Sequence, residues 1–231
     1  MSCLIVTIAG RKGGVGKTTL TLALAAHYIR AKKRVCIVDL DPQGSATMGL
    51  GATINGAHLA EVLTGDVTPQ AITVAGWDRL TLLRGGAEVE SAEPRNLRKT
   101  LSSLPVDVVL VDCPPGFPHL DLAALAAADA VLVAAEAHAF AIAGATRIIT
   151  AAAGIKRAGD PLRTALVLNR VDERRALDRH APQILNGALG VQLFTIHQDT
   201  ALAAALNSSE MPPATGRAAK DLKAVVKWLT R

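Results

Sequence analysis

Aromatic residues are scarce in this sequence: three phenylalanines, two tryptophans and one tyrosine make up 3% of its 231 residues. Half of the residues are hydrophobic, so we expect a core built from Ala, Leu, Val and Ile. Such a core suits buried parallel strands flanked by Ala-rich helices. The length fits one sizeable α/β domain and is short for two, so we expect residues 1–231 to form a single domain.

Cysteines are also few, and their spacing is not that of a metal site. Their number is odd, and each lies in or beside an apolar run typical of a strand: Cys3, Cys36 and Cys113. We therefore expect buried, reduced thiols in a cytoplasmic protein.

Long uninterrupted apolar segments are absent from the sequence. The most apolar region, residues 122–145, is interrupted by Asp129, Glu136 and His138, which argues against a membrane span. We expect no signal peptide, because the first apolar run is short and leads directly into a glycine-rich loop.

Charge is distributed unevenly, although the net charge is a moderate +5. Residues 1–140 contain 12 Lys and Arg against 13 Asp and Glu, whereas residues 141–231 contain 13 against 7. A basic half of this kind suggests a polyanionic partner, and nucleic acid is the first candidate. Composition alone leaves open the alternative of a solvated surface that is basic without binding anything.

A glycine-rich loop joins the first predicted strand, Leu4–Ile8, to the first predicted helix, Leu20–Ile29. Residues 9–19 read Ala-Gly-Arg-Lys-Gly-Gly-Val-Gly-Lys-Thr-Thr. Backbone N–H groups and a helix N-terminus in this setting can cradle phosphate oxygens. Lys17 would then reach the β- and γ-phosphates, and the Thr18 hydroxyl would hold Mg²⁺. A glycine turn that merely joins a strand to a helix is the less favoured alternative.

The loop departs from the common phosphate-binding pattern at one position. The pattern requires glycine five residues before Gly16, where this chain has Arg11. A second lysine, Lys12, stands directly before the glycine pair instead.

Two carboxylates follow the next apolar strand, which begins at Val35. Asp39 and Asp41 are two residues apart and so lie on the same side of an extended chain. Ligands of open parallel sheets bind beyond the carboxyl ends of the strands, so both carboxylates should lie beside the glycine-rich loop. Bare carboxylates at the edge of a phosphate site would repel the nucleotide, so we expect these two to hold a metal ion or to orient water.

A third carboxylate, Asp112, ends the apolar run that begins at Val106. A hydrophobic strand ending in Asp, at this distance from a phosphate loop, resembles a Walker B strand. Its carboxylate would bind Mg²⁺ through water, while Thr18 binds the ion directly. A later strand ends at Asn169, whose amide can donate and accept hydrogen bonds at once and so suits a base edge. An Asn in a plain strand-end turn is nearly as good an interpretation.

Strands and helices are predicted to alternate over the remaining chain. Loops and short helices are predicted over 45–79, with a turn or two at 59–63. Further strands are predicted over 80–83, 106–112, 130–134, 164–170 and 191–196, and helices over 91–104, 120–128, 142–157, 173–189, 200–208 and 215–230.

With these motifs, the chain resembles the ParA/MinD family of P-loop ATPases with a deviant Walker A motif. The motifs are Lys12–Thr19, the Asp-Leu-Asp-Pro-Gln-Gly run of residues 39–44, and Val111–Pro115. Lys12 matches the family's signature lysine, which accounts for the missing glycine. The resemblance extends to about Arg170 and then fades, because the usual Pro-Arg segment is replaced by residues 196–199. It implies a single-domain α/β P-loop fold: a mostly parallel twisted sheet with helices on both faces.

The resemblance also implies a function and roles for individual residues. It implies a homodimer that sandwiches two ATP molecules, with Mg²⁺, and in which each Lys12 reaches the phosphates of the opposite subunit. Asp41 would orient the attacking water, and Lys12, Asp41 and Lys17 would be catalytic. Other assignments follow the motifs: ATP binding by Lys12, Gly13, Gly14, Val15, Gly16, Lys17, Thr18, Thr19 and Asn169, and Mg²⁺ binding by Thr18, Asp39 and Asp112.

Within the family, the chain is most similar to short partition ATPases that move plasmids or chromosomes. Such proteins hydrolyse ATP slowly until an adaptor of the ParB type stimulates them, act in the cytoplasm on the nucleoid, and bind DNA without sequence preference. With so few aromatics, the DNA contacts should be to phosphate and strongly salt-dependent. The candidate contacts are Arg147, Arg157, Arg174, Arg175, Arg179, Arg217, Lys220, Lys223 and Lys227.

Two alternatives stay open. The first is a MinD-like positioning ATPase on a membrane, since Leu222, Val225, Val226 and Leu229 share one face of the last predicted helix among lysines. Packing of that face on the domain is the better interpretation. The second is a metabolic relative such as a cobyrinate amidase or a nitrogenase reductase. The chain is short for the amidase, and Cys113 lacks a partner cysteine for the iron–sulphur cluster of a reductase.

Overall fold

The structure is a computed structural model, and it describes residues 3–52, 59–65, 67–116, 118–155 and 161–231. Within these ranges the strands are β1 (Leu4–Ala9), β2 (Val35–Asp39), β3 (Ile72–Thr73), β4 (Leu80–Leu83), β5 (Val108–Asp112), β6 (Ala130–Ala135), β7 (Arg163–Val171) and β8 (Gln192–His197). The helices are α1 (Lys17–Arg30), α2 (Ser45–Gly49), α3 (Leu59–Thr64), α4 (Leu97–Ser102), α5 (Pro118–Ala127), α6 (Ala139–Ala153), α7 (Ala176–Leu185), α8 (Thr200–Asn207) and α9 (Arg217–Leu229).

The strands form one sheet in the order β3-β4-β2-β5-β1-β6-β7-β8. Every pairing is parallel except that of β3 with β4. β1 lies between β5 and β6, and Asp39 at the end of β2 is in register with Asp112 at the end of β5. The glycine-rich loop after β1 and the carboxylates that end β2 and β5 therefore meet at the carboxyl end of the sheet.

The two faces of the sheet carry separate apolar clusters, because successive side chains of a strand point to opposite faces. Ile5, Val109 and Val111 pack under α3, α4, α5 and α6. Val6 and Leu110 pack on the other face, against α1 and α9. The predicted fold, a mostly parallel sheet with helices on both faces, is confirmed.

The helix predicted over 91–104 is wrong in its first half. A short 3₁₀ helix covers Ala87–Ser91, and α4 begins only at Leu97. Pro94 explains the break, because proline lacks an N–H donor and pushes the preceding residue out of the helical conformation. Asn96 then adopts a left-handed backbone (φ 53°) directly before the helix.

Two other predicted helices extend more than two residues past an end of the observed helix. The prediction of 173–189 corresponds to α7, which covers only Ala176–Leu185 and contains Pro182. The prediction of 142–157 corresponds to α6, which begins earlier and ends at Ala153. Residues 156–157 of that prediction, which include the DNA candidate Arg157, lie outside the described residues.

The last helix, α9, packs its apolar face on the protein. Leu222, Val225 and Leu229 are buried, and α9 contacts β8 and α1. The face that would have lain on a membrane is therefore part of the core. In the part of the chain that the structure describes, no helix combines the length and apolar content needed to cross a membrane.

The three cysteines are buried free thiols, as expected. Burial raises the pKa of Cys36 to about 12, and it also raises the pKa of Cys3 and Cys113. Because the thiolate is the reactive form, all three side chains are packing groups at neutral pH.

Candidate nucleotide-binding site

The glycine-rich loop lies at the carboxyl edge of the sheet, between β1 and α1. Gly16 caps α1 with a left-handed backbone (φ 85°). All of α1 is described, and its first turn contains no acidic residue and receives no side-chain capping bond. The first N–H groups of a helix lack partners within it, so this end is open to an anion.

Lys17 is buried, and its Nζ atom donates to the Lys12 carbonyl oxygen at 3.5 Å. The amine is thus folded back under the loop. Thr18 and Thr19 follow it on α1 and are half-buried. The order of loop, buried lysine and hydroxyl is the order that phosphate binding requires.

Two glycines of the loop are fixed by close packing. A Cβ atom on Gly10 would lie 2.8 Å from the Ala134 carbonyl oxygen. A Cβ atom on Gly16 would overlap the side-chain amide nitrogen of Asn169. Glycine is strongly preferred at Gly16, because the left-handed φ disfavours other residues and the Asn169 amide would have to move to admit a Cβ atom.

Asp112 receives two hydroxyl hydrogen bonds. Thr18 donates to its Oδ2 atom at 2.6 Å, and Thr21 donates to its Oδ1 atom at 3.2 Å. Burial, and then the neighbouring Asp39, raise the pKa of Asp112 to about 7. A divalent cation would offset both effects, because it compensates the buried negative charge.

Asp39 is fully buried, and its carboxylate organises the loop after β2. Its Oδ2 atom accepts from the Thr47 backbone N–H at 2.8 Å and from the Thr47 hydroxyl at 2.7 Å, and Oδ1 accepts from the Asp41 N–H at 3.2 Å. Burial is the main cause that raises its pKa to about 6. The three hydrogen bonds hold the loop after β2 in place, which is a role of Asp39 that the sequence did not show. Its Mg²⁺ role stays a prediction.

Asp41 lies in the same loop and is held by its own neighbours. Its Oδ1 atom accepts from the Gln43 N–H at 2.9 Å, and its Oδ2 atom accepts from the Ser45 hydroxyl at 2.6 Å. The carboxylate is buried, with 7% of the residue exposed. A buried carboxylate in a fixed orientation can position a water molecule, which is the role predicted for it.

Asn169 and Arg170 tie the end of β7 to the glycine-rich loop. The Asn169 amide donates to the Val15 carbonyl at 2.8 Å, and Arg170 Nη1 donates to the Gly14 carbonyl at 2.7 Å. Arg170 has a left-handed backbone (φ 57°). Arg170 was missed from sequence, although it directly follows a predicted site residue. The predicted contact of Asn169 with adenine stays a prediction.

Lys12 points out of the loop. Its side chain is 55% exposed, and its Nζ atom lies 3.2 Å from His138 Nε2 and 4.0 Å from Glu136 Oε2. Lys12 and Lys17 therefore differ in place: Lys17 lies under the loop, and Lys12 lies on its outer surface.

Asp121, on α5, is a buried carboxylate near the site that sequence analysis missed. Its Oδ1 atom accepts no hydrogen bond from the described residues. Burial raises its pKa to about 6, while Lys17 and Arg11 act in the opposite direction. No sequence signal marks it, because a single Asp in a helical first turn is common.

The raised pKa of Asp121 predicts a pH-dependent cost to stability. Its ordinary value is 3.8, so between pH 3.8 and about 6 the folded state binds more protons than the unfolded state. Stability therefore falls as pH rises through this window, and the cost is full above it. We expect Asp121→Asn to stabilise the nucleotide-free protein by about 1–2 kcal/mol at pH 8 and to have no effect near pH 3.5.

Thermal unfolding of Asp121→Asn at both pH values measures this difference, with the exposed Asp78→Asn as a control of equal charge. An equal shift at the two pH values would contradict the assignment.

The predicted DNA-contacting residues differ in their exposure and in their ion pairs. Lys220, Lys223 and Lys227 are exposed and lie on one side of α9, opposite its buried face. Arg174 is held by Asp172 at 2.8 Å, and Arg217 is held by Glu173 at 2.7 Å. Arg147, Arg175 and Arg179 are exposed. The three α9 lysines therefore form the clearest basic stripe among the candidates.

The site has the chemistry for a nucleoside triphosphate and Mg²⁺. The open helix end and the buried Lys17 suit phosphate oxygens. A hydroxyl bonded to a carboxylate, with a second carboxylate on the adjacent strand, is a hard oxygen donor set of the kind that Mg²⁺ prefers. The residues present thus fit both groups.

Comparison with known proteins agrees with this geometry. A family model described as an AAA domain matches residues 3–166. The chromosome-partitioning ATPase Soj of Thermus thermophilus is 37% identical over 198 residues, covering 82% of this chain and 78% of that relative. The chain belongs to the ParA/MinD family. Another relative of this ATPase family, the chromosome partitioning protein ParA of Myxococcus xanthus, is 32% identical over 212 residues, or 83% and 74% of the two chains.

Solved structures show the same fold. McdA of Cyanothece has a TM-score of 0.81 at 19% identity and covers 97% of this chain and 99% of its own. Cobyrinic acid a,c-diamide synthase of Mycobacterium smegmatis has a TM-score of 0.73 at 26% identity, covering 93% and 100%. Because that whole solved chain is matched, the length of this chain does not separate it from the amidase. The expectation that this chain is too short for the amidase is therefore wrong. What differs is the sequence identity, which is 37% and 32% to the two partitioning proteins and 26% to the amidase.

Proposed function

We propose that this protein is a switch ATPase of the partition type, formed by one ATPase domain over residues 1–231. With ATP and Mg²⁺ it dimerises and binds DNA without sequence preference, and slow hydrolysis, stimulated by a ParB-like adaptor, returns it to the monomer. Its work would be the segregation or positioning of a plasmid or chromosome in the cytoplasm, on the nucleoid. Its membership of the ParA/MinD family supports a positioning ATPase.

The observation that carries the proposal is the contrast between the two loop lysines. Lys17 is buried under the loop, where a bound triphosphate would lie, whereas Lys12 extends outward with 55% of its side chain exposed. An outward cation at the mouth of a phosphate site is placed to act on a second subunit. Inserted in trans, it would neutralise the charge that develops on the transferred phosphoryl group.

The other site residues would divide the work as their geometry suggests. Lys17 and the N–H groups of the loop bind phosphate, and Thr18 with Asp112 and Asp39 would hold Mg²⁺. The ion, when bound, would neutralise phosphate charge. Asp41, oriented by Gln43 and Ser45, would accept a hydrogen bond from the attacking water. Each of these contributions is electrostatic or positional, as phosphoryl transfer requires.

The α9 lysines would supply the DNA contact. Their stripe is exposed and lies opposite the face that packs on the core, so it can meet a phosphate backbone without unfolding the helix. The membrane alternative uses the same helix but needs the apolar face, which is buried. The structure thus favours DNA over a lipid surface as the partner of α9.

A hydrolysis-blocked protein tests the proposal. We expect Asp41→Ala with ATP to double in mass by light scattering and to retard random-sequence duplex DNA at low salt, whereas ADP supports neither. Replacing Lys220, Lys223 and Lys227 by Gln should leave dimerisation intact. The slope of log affinity against log salt should then become shallower by roughly 0.9 for each phosphate that is no longer neutralised.

The matched control replaces three exposed lysines that are not part of α9: Lys32, Lys33 and Lys99. It removes the same charge and should keep the DNA affinity within about twofold. If Asp41→Ala with ATP stays monomeric, or dimerises without retarding DNA, the partition function is refuted.

A further inference from the structure

Three nitrogen groups converge on the carboxylate of Glu136, which directly follows β6. The Oε2 atom lies 4.0 Å from Lys12 Nζ and 3.6 Å from His138 Nε2, and the Oε1 atom lies 3.7 Å from Arg170 Nη1. The three groups come from the glycine-rich loop, the start of α6 and the end of β7. Glu136 is therefore the negative centre of a cluster at the mouth of the phosphate site.

His138 cannot be the group that holds Lys12. Its Nδ1 atom accepts the Ala141 backbone N–H at 3.2 Å and so caps α6. In the neutral ring the proton then lies on Nε2, so this atom cannot accept from the Lys12 ammonium 3.2 Å away. The attraction on Lys12 in this cluster comes from Glu136, and the ring N–H points into the same group of atoms.

A carboxylate at this place has an electrostatic cost. It would repel the phosphates of a bound nucleotide, since it lies beside two phosphate-site cations and only 31% of its side chain is exposed to the solvent that would screen its charge. The same charge holds Lys12 against its own subunit. Lys12 cannot contact Glu136 and reach across to a second subunit at the same time.

We propose that Glu136 is a positioning residue that holds Lys12 in cis, so that the dimer forms only when this contact is exchanged for the partner's phosphates. The inference rests on the proposed function and adds a restraint to it. The restraint sets the threshold of dimer formation, because each dimer must break two such ion pairs, one in each subunit.

The solvent exposure of Lys12 and Glu136 determines how strongly their ion pair opposes dimer formation. Side chains that are 55% and 31% exposed form a weak ion pair, which corresponds to about a threefold preference for the held state. Two ion pairs broken per dimer give about tenfold. Glu136→Gln should therefore tighten the ATP-dependent dimer by about tenfold, while the variant keeps the shape of the side chain.

Amine labelling of the nucleotide-free monomer tests the held state alone. An acylating reagent with peptide mass spectrometry reads the rate at Lys12, with exposed Lys33 as the internal reference. We expect Lys12 to react about threefold faster in Glu136→Gln and Lys33 to be unchanged. Equal rates at Lys12 in the two proteins would overturn the proposal.

Dimer affinity at saturating ATP tests the consequence, measured by sedimentation in the Asp41→Ala background. Glu210→Gln is the matched control, because it removes the same charge from an exposed residue outside the cluster. We expect tighter association for Glu136→Gln alone, and an unchanged or weaker dimer would overturn the proposal. If the parent Asp41→Ala protein itself does not dimerise, the proposed function and the dimer threshold both fail, and labelling still decides whether Glu136 holds Lys12.

Discussion

Lys12→Ala is expected to lower ATP turnover about 10³-fold under the proposed function, at the lower end of the effect of a cation supplied in trans. ATP affinity of the monomer should stay within about threefold, because the Lys12 side chain lies on the outer surface of the loop and Lys17 lies under it. The variant should therefore bind nucleotide and remain folded, and it should fail at the hydrolysis step that we propose to need two subunits.

Turnover is measured by phosphate release and affinity by titration with a fluorescent ATP analogue. Lys99→Ala, an exposed lysine on α4, serves as the control and should behave as the parent protein does. Full activity in Lys12→Ala would show that the outward lysine has no role in hydrolysis. A loss of ATP binding in the monomer would instead place its action within its own subunit.

Gly16→Ala is expected to remove nucleotide binding, with at least a hundredfold loss of ATP affinity, and to destabilise the fold. The new methyl group would overlap the Asn169 amide and would force a left-handed backbone on a residue with a Cβ atom. Together these cost about 2–5 kcal/mol. For a chain of this length that corresponds to a melting temperature lower by roughly 5–15 °C.

Gly13→Ala is the matched control for stability, because a Cβ atom on Gly13 has nothing within 4 Å and its φ is not left-handed. Its melting temperature should stay within about 2 °C of the parent. A Gly16→Ala protein that keeps both its melting temperature and its ATP affinity would contradict the tie between Gly16 and Asn169.

The parts of the fold that sequence predicted well are those in which pattern and packing agree. β1, the glycine-rich loop and α1 were predicted because an apolar run, a glycine cluster and an Ala-Leu helix succeed one another directly. The segment before α4 was not, since Ser91 and its acidic neighbours look like a helix start. Pro94 and the left-handed Asn96 override that local preference. The order of the strands was beyond sequence alone, because it depends on which apolar faces meet.

The site was predictable only in part, for a related reason. Residues with a fixed spacing inside one motif, such as Lys17 and Thr18, are visible along the chain. Partners that come from distant segments are not. Glu136 and Arg170 meet the loop only after the sheet has formed, and nothing around them in the sequence signals that contact.

The central place of β1 has a consequence for how the protein is made. β1 leaves the ribosome long before its neighbours β5 and β6, in which Val108 pairs with Leu4 and Ala130 pairs with Val6. At about 5–20 residues per second the apolar first strand waits roughly 5–25 s for both neighbours. The glycine-rich loop at the end of β1 therefore gains its neighbouring strands late in synthesis. A product cut short before β6 would display an unpaired apolar strand, the kind of surface that chaperones and proteases recognise.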